Sequence, residues 1–323
     1  MGLFKTANIV SRADKISNFT VSTAEYGSAV MELLGTTRIS GNVIYYDDFT
    51  AHEHRETQRS GKGGGVKSTT ITYTYTAAVI MGLCEGPIKG IGRVWIDKEL
   101  YQYPSEKIGM TLYSGTADQQ PWPYVVGKHP EKALPYTGLA YMAGVIDLGN
   151  NASLPNFNFE VQGKLLDTGD GVDVNPADYI RYILDKVGLQ EVEIVGLENY
   201  RKYCHESDFL ISTPADYTSA KTARDIVNEI ASLTNAYMFW SNDRFKIVPR
   251  ADRPVGEWQP DKQIVYNLTA DDFLEQSNGA CVTYSRKDSS ELYNRFTVEF
   301  YNRENAYEKE SVSYEDSENI ADY

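Results

Sequence analysis

A strict alternation of side chains from Thr70 to Leu83 constrains the fold more than any other feature of the sequence. Threonines at positions 72, 74 and 76 separate the apolar residues, which are Ile71, Tyr73, Tyr75, Ala77, Val79, Met81 and Leu83. A period of two is typical of a β-strand with one face in a core. Because strands usually span about five to six residues, this length favours a tall barrel wall or an extended ribbon over a compact sandwich.

Length and composition agree with a folded, strand-rich chain. The chain has 323 residues, and a single core rarely outgrows about 250 to 300 residues, so we expect about two domains. Its 24 Tyr and 25 Gly favour strands separated by glycine turns. The longest apolar run, Ala77 to Cys84, is far shorter than the roughly 20 residues of a membrane helix, which predicts no stable membrane insertion. Met1 to Thr20 lacks the apolar segment of a signal peptide.

Acidic residues are in excess and are unevenly distributed. The formal net charge is −14, and residues 251–323 hold 16 acidic against 7 basic residues. Such a field repels nucleic acid, so any phosphate-binding surface would have to be local. We interpret the acidic segment as a solvated surface.

Two helices and a hairpin are predicted in the middle of the chain. Asn175 and Pro176 are typical first residues of a helix, because Asn caps free backbone amides and Pro suits the first turn. A second helix is predicted from about Ser219 to Thr234, since apolar residues recur there at helical spacing. Strand-like runs at 236–240 and 244–248 then predict a hairpin.

Strands flank this helical region. The strand-like segments are 41–49, 92–97 and 99–103 before it, and 281–284, 295–301 and 308–314 after it. The first 40 residues show no clear period and are predicted to be irregular. Residues 52–67 are polar and then glycine-rich, a composition that is costly to order and predicts a mobile loop. The order of strands, helix pair with hairpin, and strands predicts a β-rich α+β fold.

Candidate ligands for metal or phosphate surround the glycine-rich segment. His52, His54 and Glu56 could hold a metal, but the zinc-protease helix needs histidines four apart and these are two apart. The segment from Gly61 to Ser68 superficially resembles a phosphate-binding loop. That motif requires Gly-Lys-Ser or Gly-Lys-Thr, whereas Val66 precedes the lysine here. We therefore predict a charged loop that binds neither metal nor nucleotide.

Candidate catalytic residues do not converge in the sequence. Cys204 and His205 are adjacent, and in an extended chain adjacent side chains point to opposite faces. The carboxylates at 47–48 and 271–272 are also adjacent in sequence. A glycosidase needs two acids that face each other across a cleft, which adjacent residues do not provide. We predict no catalytic, cofactor-binding or metal-binding residues and no enzyme activity.

The cysteines indicate neither zinc binding nor redox exchange. They are odd in number, widely spaced and without a CxxC pair. We expect three reduced thiols at Cys84, Cys204 and Cys281.

One continuous stretch carries a resemblance to a known family. Ala77 to Asp97, with its Cys-Glu-Gly-Pro-Ile core, resembles a hallmark of phage tail tip and baseplate hub proteins. This family includes the tip attachment proteins of long-tailed phages, the baseplate hubs of contractile tails and the gene transfer agent hub. Further similar segments follow in the family's order at 112–119, 136–141, 154–161, 175–180, 294–299 and 312–321. The helix and hairpin that contain Trp240, between the fourth and fifth of these segments, are also similar.

The resemblance implies a homotrimer in which each chain contributes two tube-forming β-barrel-like domains around an inserted α/β domain of a helix pair and hairpin. The implied boundaries are an N-terminal irregular arm at 1–40, a first hub β-barrel region at 41–170 with the mobile glycine-rich loop 52–67, an α/β hub domain at 171–250, and a second, incomplete hub β-barrel region at 251–323. Lys98 departs from the family, which has a turn glycine there. The family's pattern also continues beyond Tyr323, where receptor-binding or lytic modules would lie.

The expected function is that of a structural virion protein that closes the distal end of a phage tail tube and opens for DNA ejection. Implied partners are the distal tail protein, the tail tube, the tape measure protein and the central fibre or tip proteins. Genomic DNA would pass through the lumen without specific binding. The implied location is the virion tail tip, after assembly in the host bacterial cytoplasm. The alternatives are a tail-associated peptidoglycan hydrolase and a carbohydrate-binding receptor module.

Overall fold

The computed structural model describes residues 8–17, 30–59, 67–166, 169–215, 221–260, 266–274, 285 and 293–316. The chain forms two compact units, Met1–Trp258 and Gln259–Tyr323. In the larger unit the strands are β1 (Asn8–Arg12), β2 (Glu32–Leu34), β3 (Thr36–Ser40), β4 (Asn42–Arg59), β5 (Lys67–Glu85), β6 (Gly90–Ile96), β7 (Glu99–Gln102), β8 (Met110–Tyr113), β9 (Leu139–Gly149), β10 (Phe157–Gln162), β11 (Ile194–Val195), β12 (Thr213–Ala215), β13 (Ala236–Ser241) and β14 (Arg244–Pro249). Its helices are α1 (Pro123–Lys128), α2 (Pro176–Lys186), α3 (Leu197–Glu206) and α4 (Ala223–Leu233). The smaller unit contains β15 (Arg295–Asn302) and β16 (Glu308–Glu315).

Short 3-10 turns complete the described secondary structure. They span Glu106–Ile108, Pro130–Lys132 and Ala270–Asp272. Among the described residues, no helix is long and apolar enough to cross a membrane.

The predicted long strand is confirmed as β5, which is the centre of a five-stranded sheet. β4 pairs antiparallel along one edge of β5. The other edge pairs with β9 near one end and in parallel with β1 near the other. β5 is buried on both faces from residue 77 to 84, because α1 covers the outer face through Trp122 and Val125. At residues 70–76 the outer face carries threonines instead.

A second sheet of four strands, in the order β3-β10-β6-β7, packs against the first. Val79 and Met81 of β5 share one core with Val94 of β6 and with Phe159 and Val161 of β10. The predicted strands at 92–97 and 99–103 are confirmed as β6 and β7. In the turn between them, Asp97 and not Lys98 has the positive φ, 54°, so a lysine replaces the family's glycine without backbone strain.

The helical region has a separate core, in which α2, α3 and α4 pack around a three-stranded sheet in the order β11-β14-β13. The predicted hairpin is confirmed as β13 and β14. Asn175 caps α2 by accepting a hydrogen bond from the amide of Ala177 at 3.0 Å, as the sequence predicts. α4 begins later than predicted, because Thr222 and Asp225 form a reciprocal capping box there. α3 was not predicted.

Two predicted segments are wrong in part. The N-terminal 40 residues are not uniformly irregular, since they contain β1, β2 and β3, which are held by β5, β12 and β10 respectively. The segment expected to form a loop at 52–67 is also ordered at both ends. β4 continues to Arg59 and β5 begins at Lys67, because each strand supplies the other's backbone hydrogen bonds. Residues 60–66 and the predicted strand at 281–284 lie outside the described residues.

The segments that carry the family resemblance meet in space around Gln119. Its side-chain oxygen accepts a hydrogen bond from the amide of Gly115 at 2.7 Å. Its amide nitrogen lies 2.8, 3.0 and 3.2 Å from the carbonyl oxygens of Pro135, Tyr136 and Leu139. Beside it, Gly86 and Gly115 pack so closely that a Cβ on Gly115 would lie 2.7 Å from the Gly86 Cα. The motif glycines are therefore required by backbone contact.

Candidate functional site

The hairpin of β15 and β16 has one apolar face that is open to solvent. Phe296 lies opposite Tyr314, and Val298 lies opposite Val312. Their side chains remain exposed, with Val298 at 63% and Tyr314 at 69%. The opposite face is polar and includes an ion pair between Lys309 and Glu299 at 2.6 Å. An isolated two-stranded hairpin is marginally stable in water, so this apolar face is a candidate assembly surface.

A groove opens beside β13 in the helical region. It has a volume of about 540 Å³ and lies between α2, α4, β13 and β14. Trp240 stands at its side with 53% of its surface exposed, and its ring meets Phe245 edge to face with centroids 4.7 Å apart. Concave apolar surfaces with exposed aromatic residues are typical of binding sites. This groove is the second candidate surface, and it belongs to the larger unit.

A charged cluster joins β4 to the segment around α1. The ladder between β4 and β5 is irregular between Asp47 and Thr50, and Asp48 has a φ of +53°. Asp48 Oδ2 accepts a hydrogen bond from Tyr124 at 2.9 Å and lies 3.1 Å from His129 Nε2. Lys132 Nζ lies 2.6 Å from Asp47 Oδ2. The bulge thus aims two carboxylates at one neighbouring segment.

The same cluster is the one group of three or more potential metal ligands found among the described residues, with Asp47, Asp48 and His129 in reach of a single ion. The hydrogen bond from Lys132 holds the pKa of Asp47 below its usual range. Burial, together with the nearby charges of Asp47 and Asp48, raises the pKa of Tyr45 to about 12. Because Lys132 already neutralises the carboxylate of Asp47, this cluster is better suited to holding β4 against the segment around α1 than to binding a cation.

Glu32 of β2 is completely buried at the junction between the sheets and α2. It is bonded to Lys164, to the hydroxyl of Tyr182 and to Lys186. Burial alone would lower the pKa of Lys164, but the hydrogen bond to Glu32 raises it above its usual range. The network is compensated internally, so it fixes β2 against α2 and has no free group for chemistry.

The structure separates the residues considered for catalysis. Cys204 is buried in α3, whereas His205 is exposed on the same helix, so the two do not form a nucleophile and base pair. The sequence analysis assumed an extended chain at this point, but neighbouring residues of a helix also point in different directions. Burial raises the pKa of both Cys84 and Cys204 to about 12, which makes these thiols unreactive. Cys281 lies outside the described residues.

The remaining candidates are also dispersed. Asp272 accepts hydrogen bonds from the backbone and hydroxyl of Thr269 in a local turn. Lys67 and Ser68 belong to β5 and not to a phosphate-binding loop. His52, His54 and Glu56 lie on β4, which places all three on one face of a strand. The sequence prediction missed this alignment because it treated the segment as a loop.

Part of the chain matches a known protein family. Residues 222–322 match a family model described as "Putative phage tail protein", and the match includes α4, the hairpin of β13 and β14, and the hairpin of β15 and β16. This match supports a phage tail protein. A search of curated proteins found no match.

A solved structure titled "Virion of native gene transfer agent (GTA) particle" contains a chain with a similar fold. The similarity covers 97% of the present chain and 68% of that chain, with a TM-score of 0.59 and 20% sequence identity. At this identity the comparison establishes a shared fold, and that fold extends over both units of the present chain.

Proposed function

We propose that this chain is a structural virion protein that forms a homotrimeric hub and closes the distal end of a phage tail tube. The observation that carries the proposal is the fold likeness to a chain of a gene transfer agent virion over 97% of the present chain. The phage tail family match at 222–322 supports the same class of protein independently. The exposed apolar face of the β15–β16 hairpin supports assembly with further protein, because such faces are normally covered.

In this proposal the β-rich regions at 41–170 and 251–323 contribute barrel-like walls to the tube, and the α/β region at 171–250 is inserted between them. Three chains would present six such walls to a hexameric tube. The hub would contact the distal tail protein, the tube and the tape measure protein on one side and the fibre or tip proteins on the other. It would assemble in the host cytoplasm, remain at the tail tip and open when DNA leaves.

The proposal requires no catalysis by this chain. Its direct test is an image reconstruction of tail particles, together with the mass of the hub released from them. We expect three copies per tail at the distal end of the tube, with a released mass of about three times 36.3 kDa. A chain that is absent from purified tails, or that occupies another position or another copy number, would contradict the proposal.

The acidic segment suggests a role within such a tube. Residues 251–323 carry most of the net negative charge of the chain. Carboxylates that face a lumen would repel DNA phosphates and keep the passing DNA from binding. The same reconstruction tests this point, because acids that face the outer wall would contradict it.

A carbohydrate-binding receptor role is the second candidate, and it rests on the exposed Trp240 beside the groove. Aromatic rings at such sites stack on apolar sugar faces. Binding of purified host surface polysaccharide that is lost in Trp240→Ala, and kept in Trp95→Phe within the core, would favour it. Turnover of purified cell wall by this chain would instead favour the peptidoglycan hydrolase.

A further inference from the structure

The strand β13 forms one edge of the three-stranded sheet in the helical region. The order of this sheet is β11-β14-β13, and among the described strands β13 pairs with β14 alone. The turn between them has two residues, Asn242 and Asp243, both with positive φ. In such a hairpin the pair next to the turn exchanges backbone hydrogen bonds and the following pair does not. Met238 and Trp240 therefore direct their backbone N–H and C=O groups away from β14, to the open edge.

The groove of about 540 Å³ lies beside this edge. Met238 and Trp240 line the groove from the strand, and Arg224, Val227 and Asn228 line it from α4. Within the described ranges, no other backbone group is bonded to the edge atoms of Met238 and Trp240. Side chains of a strand alternate between the two faces of its sheet. A segment that paired with β13 would thus place every second side chain against the groove.

A positive charge stands at the wall of the groove. Arg224 is exposed there, in the first turn of α4. The acidic residues of α4 are engaged elsewhere, because Asp225 belongs to the capping box with Thr222 and Glu229 pairs with Lys221 at 2.7 Å. Arg224 can therefore receive a carboxylate from a bound segment.

The other face of the hairpin is also aromatic and basic. Tyr237 and Phe239 are about half exposed on this face of β13, and Lys246 lies opposite Phe239 on β14. The guanidinium of Arg250 stacks on the ring of Tyr237 at 4.3 Å from its centroid. In a chain with a net charge of −14, these cations make a local positive surface. Both faces beside the open edge of β13 thus complement an acidic partner.

We propose that the groove and the open edge of β13 bind an extended acidic segment of another protein by strand addition. The backbone of that segment pairs with Met238 and Trp240, its apolar side chains enter the groove at alternate positions, and a carboxylate meets Arg224. In this mode of recognition, main-chain hydrogen bonds supply affinity and the alternate side chains supply specificity. The volume of the groove lies within the range of established binding sites, about 300 to 1,000 Å³.

The test is a selection against the full chain from a random library of peptides of about ten residues, displayed on phage. We expect a consensus in which apolar residues alternate and at least one position is acidic. The labelled consensus peptide should bind at least about 10-fold more weakly to Trp240→Ala, which removes an aromatic anchor. Arg224→Glu should weaken it at least about 5-fold, because the charge at the groove is reversed.

The matched control is Lys98→Glu, which reverses an exposed cation in the turn between β6 and β7. It should leave the affinity for the peptide unchanged. The variants at 224 and 240 should keep the circular dichroism spectrum of the wild type, since both side chains are exposed. In the Arg224→Glu chain, a peptide with lysine at the acidic position should recover the lost affinity.

Backbone methylation of the peptide separates strand addition from binding by side chains alone. An added strand bonds to its neighbour through every second residue. Methylating those amide nitrogens should weaken binding at least about 10-fold, whereas methylating the intervening amides should leave it unchanged. Equal effects of the two methylated peptides would contradict strand addition.

Other occupants of the site give different results. Without an enriched peptide, or with a consensus that lacks acidic residues, the proposal is wrong. Self-association of the wild-type chain that Trp240→Ala abolishes, in place of peptide binding, would assign the edge to a second copy. Binding of host polysaccharide in place of the peptide would assign the groove to a sugar. None of these results bears on the tail hub, because copy number and position in the tail are measured separately.

Discussion

Lys186 Nζ lies 2.5 Å from Glu32 Oε2, and the side chain of Glu32 has no exposed surface. The pair joins the helical region to the β-sheets through a single buried carboxylate, which also meets Lys164. Replacing Glu32 leaves Lys164 and Lys186 with Glu85, a half-exposed carboxylate that lies 3.5 and 3.9 Å from them.

The first prediction follows from this pair. Glu32→Gln should lower the free energy of unfolding by about 1 to 3 kcal/mol, because the two partly buried lysines lose their buried partner and keep only Glu85. Urea denaturation of the purified chain measures the loss. Glu229→Gln is the control, since Glu229 pairs with Lys221 on the surface and should change the stability by less than about 1 kcal/mol. Equal stabilities of the two variants would argue against a structural role for the network.

The second prediction concerns the open face of the β15–β16 hairpin. Val298→Lys with Val312→Glu keeps a pair of opposite charges across the strands but makes the face polar. Burying two valines in an interface contributes about 1.5 to 3 kcal/mol each, so association should weaken at least about 100-fold. Analytical ultracentrifugation and incorporation into tails measure the effect.

The matched control for this face is Thr297→Lys with Ser313→Glu on the polar side of the same hairpin. This variant introduces the same charges at neighbouring positions and should assemble normally. Loss of assembly in both variants would show that charge on the hairpin, and not its apolar face, is responsible.

The third prediction is a pH dependence at Asp47. Its pKa is lowered in the folded chain by the hydrogen bond from Lys132, so its stabilising effect is present above the unfolded pKa of about 3.9. The effect should be lost as the pH falls through the lower, folded pKa. Because Lys132 is half exposed, the difference between wild type and Asp47→Asn should reach at most about 1 kcal/mol at pH 7.

Thermal denaturation of both proteins between pH 7 and pH 2 checks this sign. The two melting temperatures should converge at the acidic end. Glu131→Gln, which alters an exposed neighbour of His129, should show no such convergence. A gap that widens on acidification would contradict the assignment.

The fourth prediction concerns Gly115, whose φ is +84°. Gly115→Ala should destabilise the chain by more than about 1 kcal/mol, because the added Cβ meets backbone atoms and the conformation is strained. Gly127→Ala is the control, since a Cβ there meets nothing within 4 Å and the residue lies in α1. Its melting temperature should stay constant or rise slightly.

Local patterns were sufficient to predict the elements that carry strong signals of their own. The alternation around Tyr75 predicted β5, and Asn175 predicted the start of α2. α3 was missed because it begins after Gly196, which has a φ of +85° and no capping side chain, and because its buried positions are tyrosines and a cysteine. Such residues favour a helix only weakly.

Elements that depend on distant partners could not be predicted. β1 is a strand because it pairs with β5, and β2 because it pairs with β12 far along the chain. The shared face of His52 and His54 could not be predicted either, because the faces of a strand can be assigned only after the segment has been recognised as a strand. The open hairpin face was implicit in the alternation of β15, but only the structure gives its exposure.

Gln119 limits how sequences of this fold can diverge. One side-chain amide binds the backbone of two segments, at Gly115 and at three carbonyl groups of the loop 135–139, so a different residue at 119 leaves several backbone polar groups unmatched at once. Substitution there becomes tolerable only when the loop at 135–139 changes with it. We therefore expect these positions to covary among homologues, as a block that is inherited or replaced together.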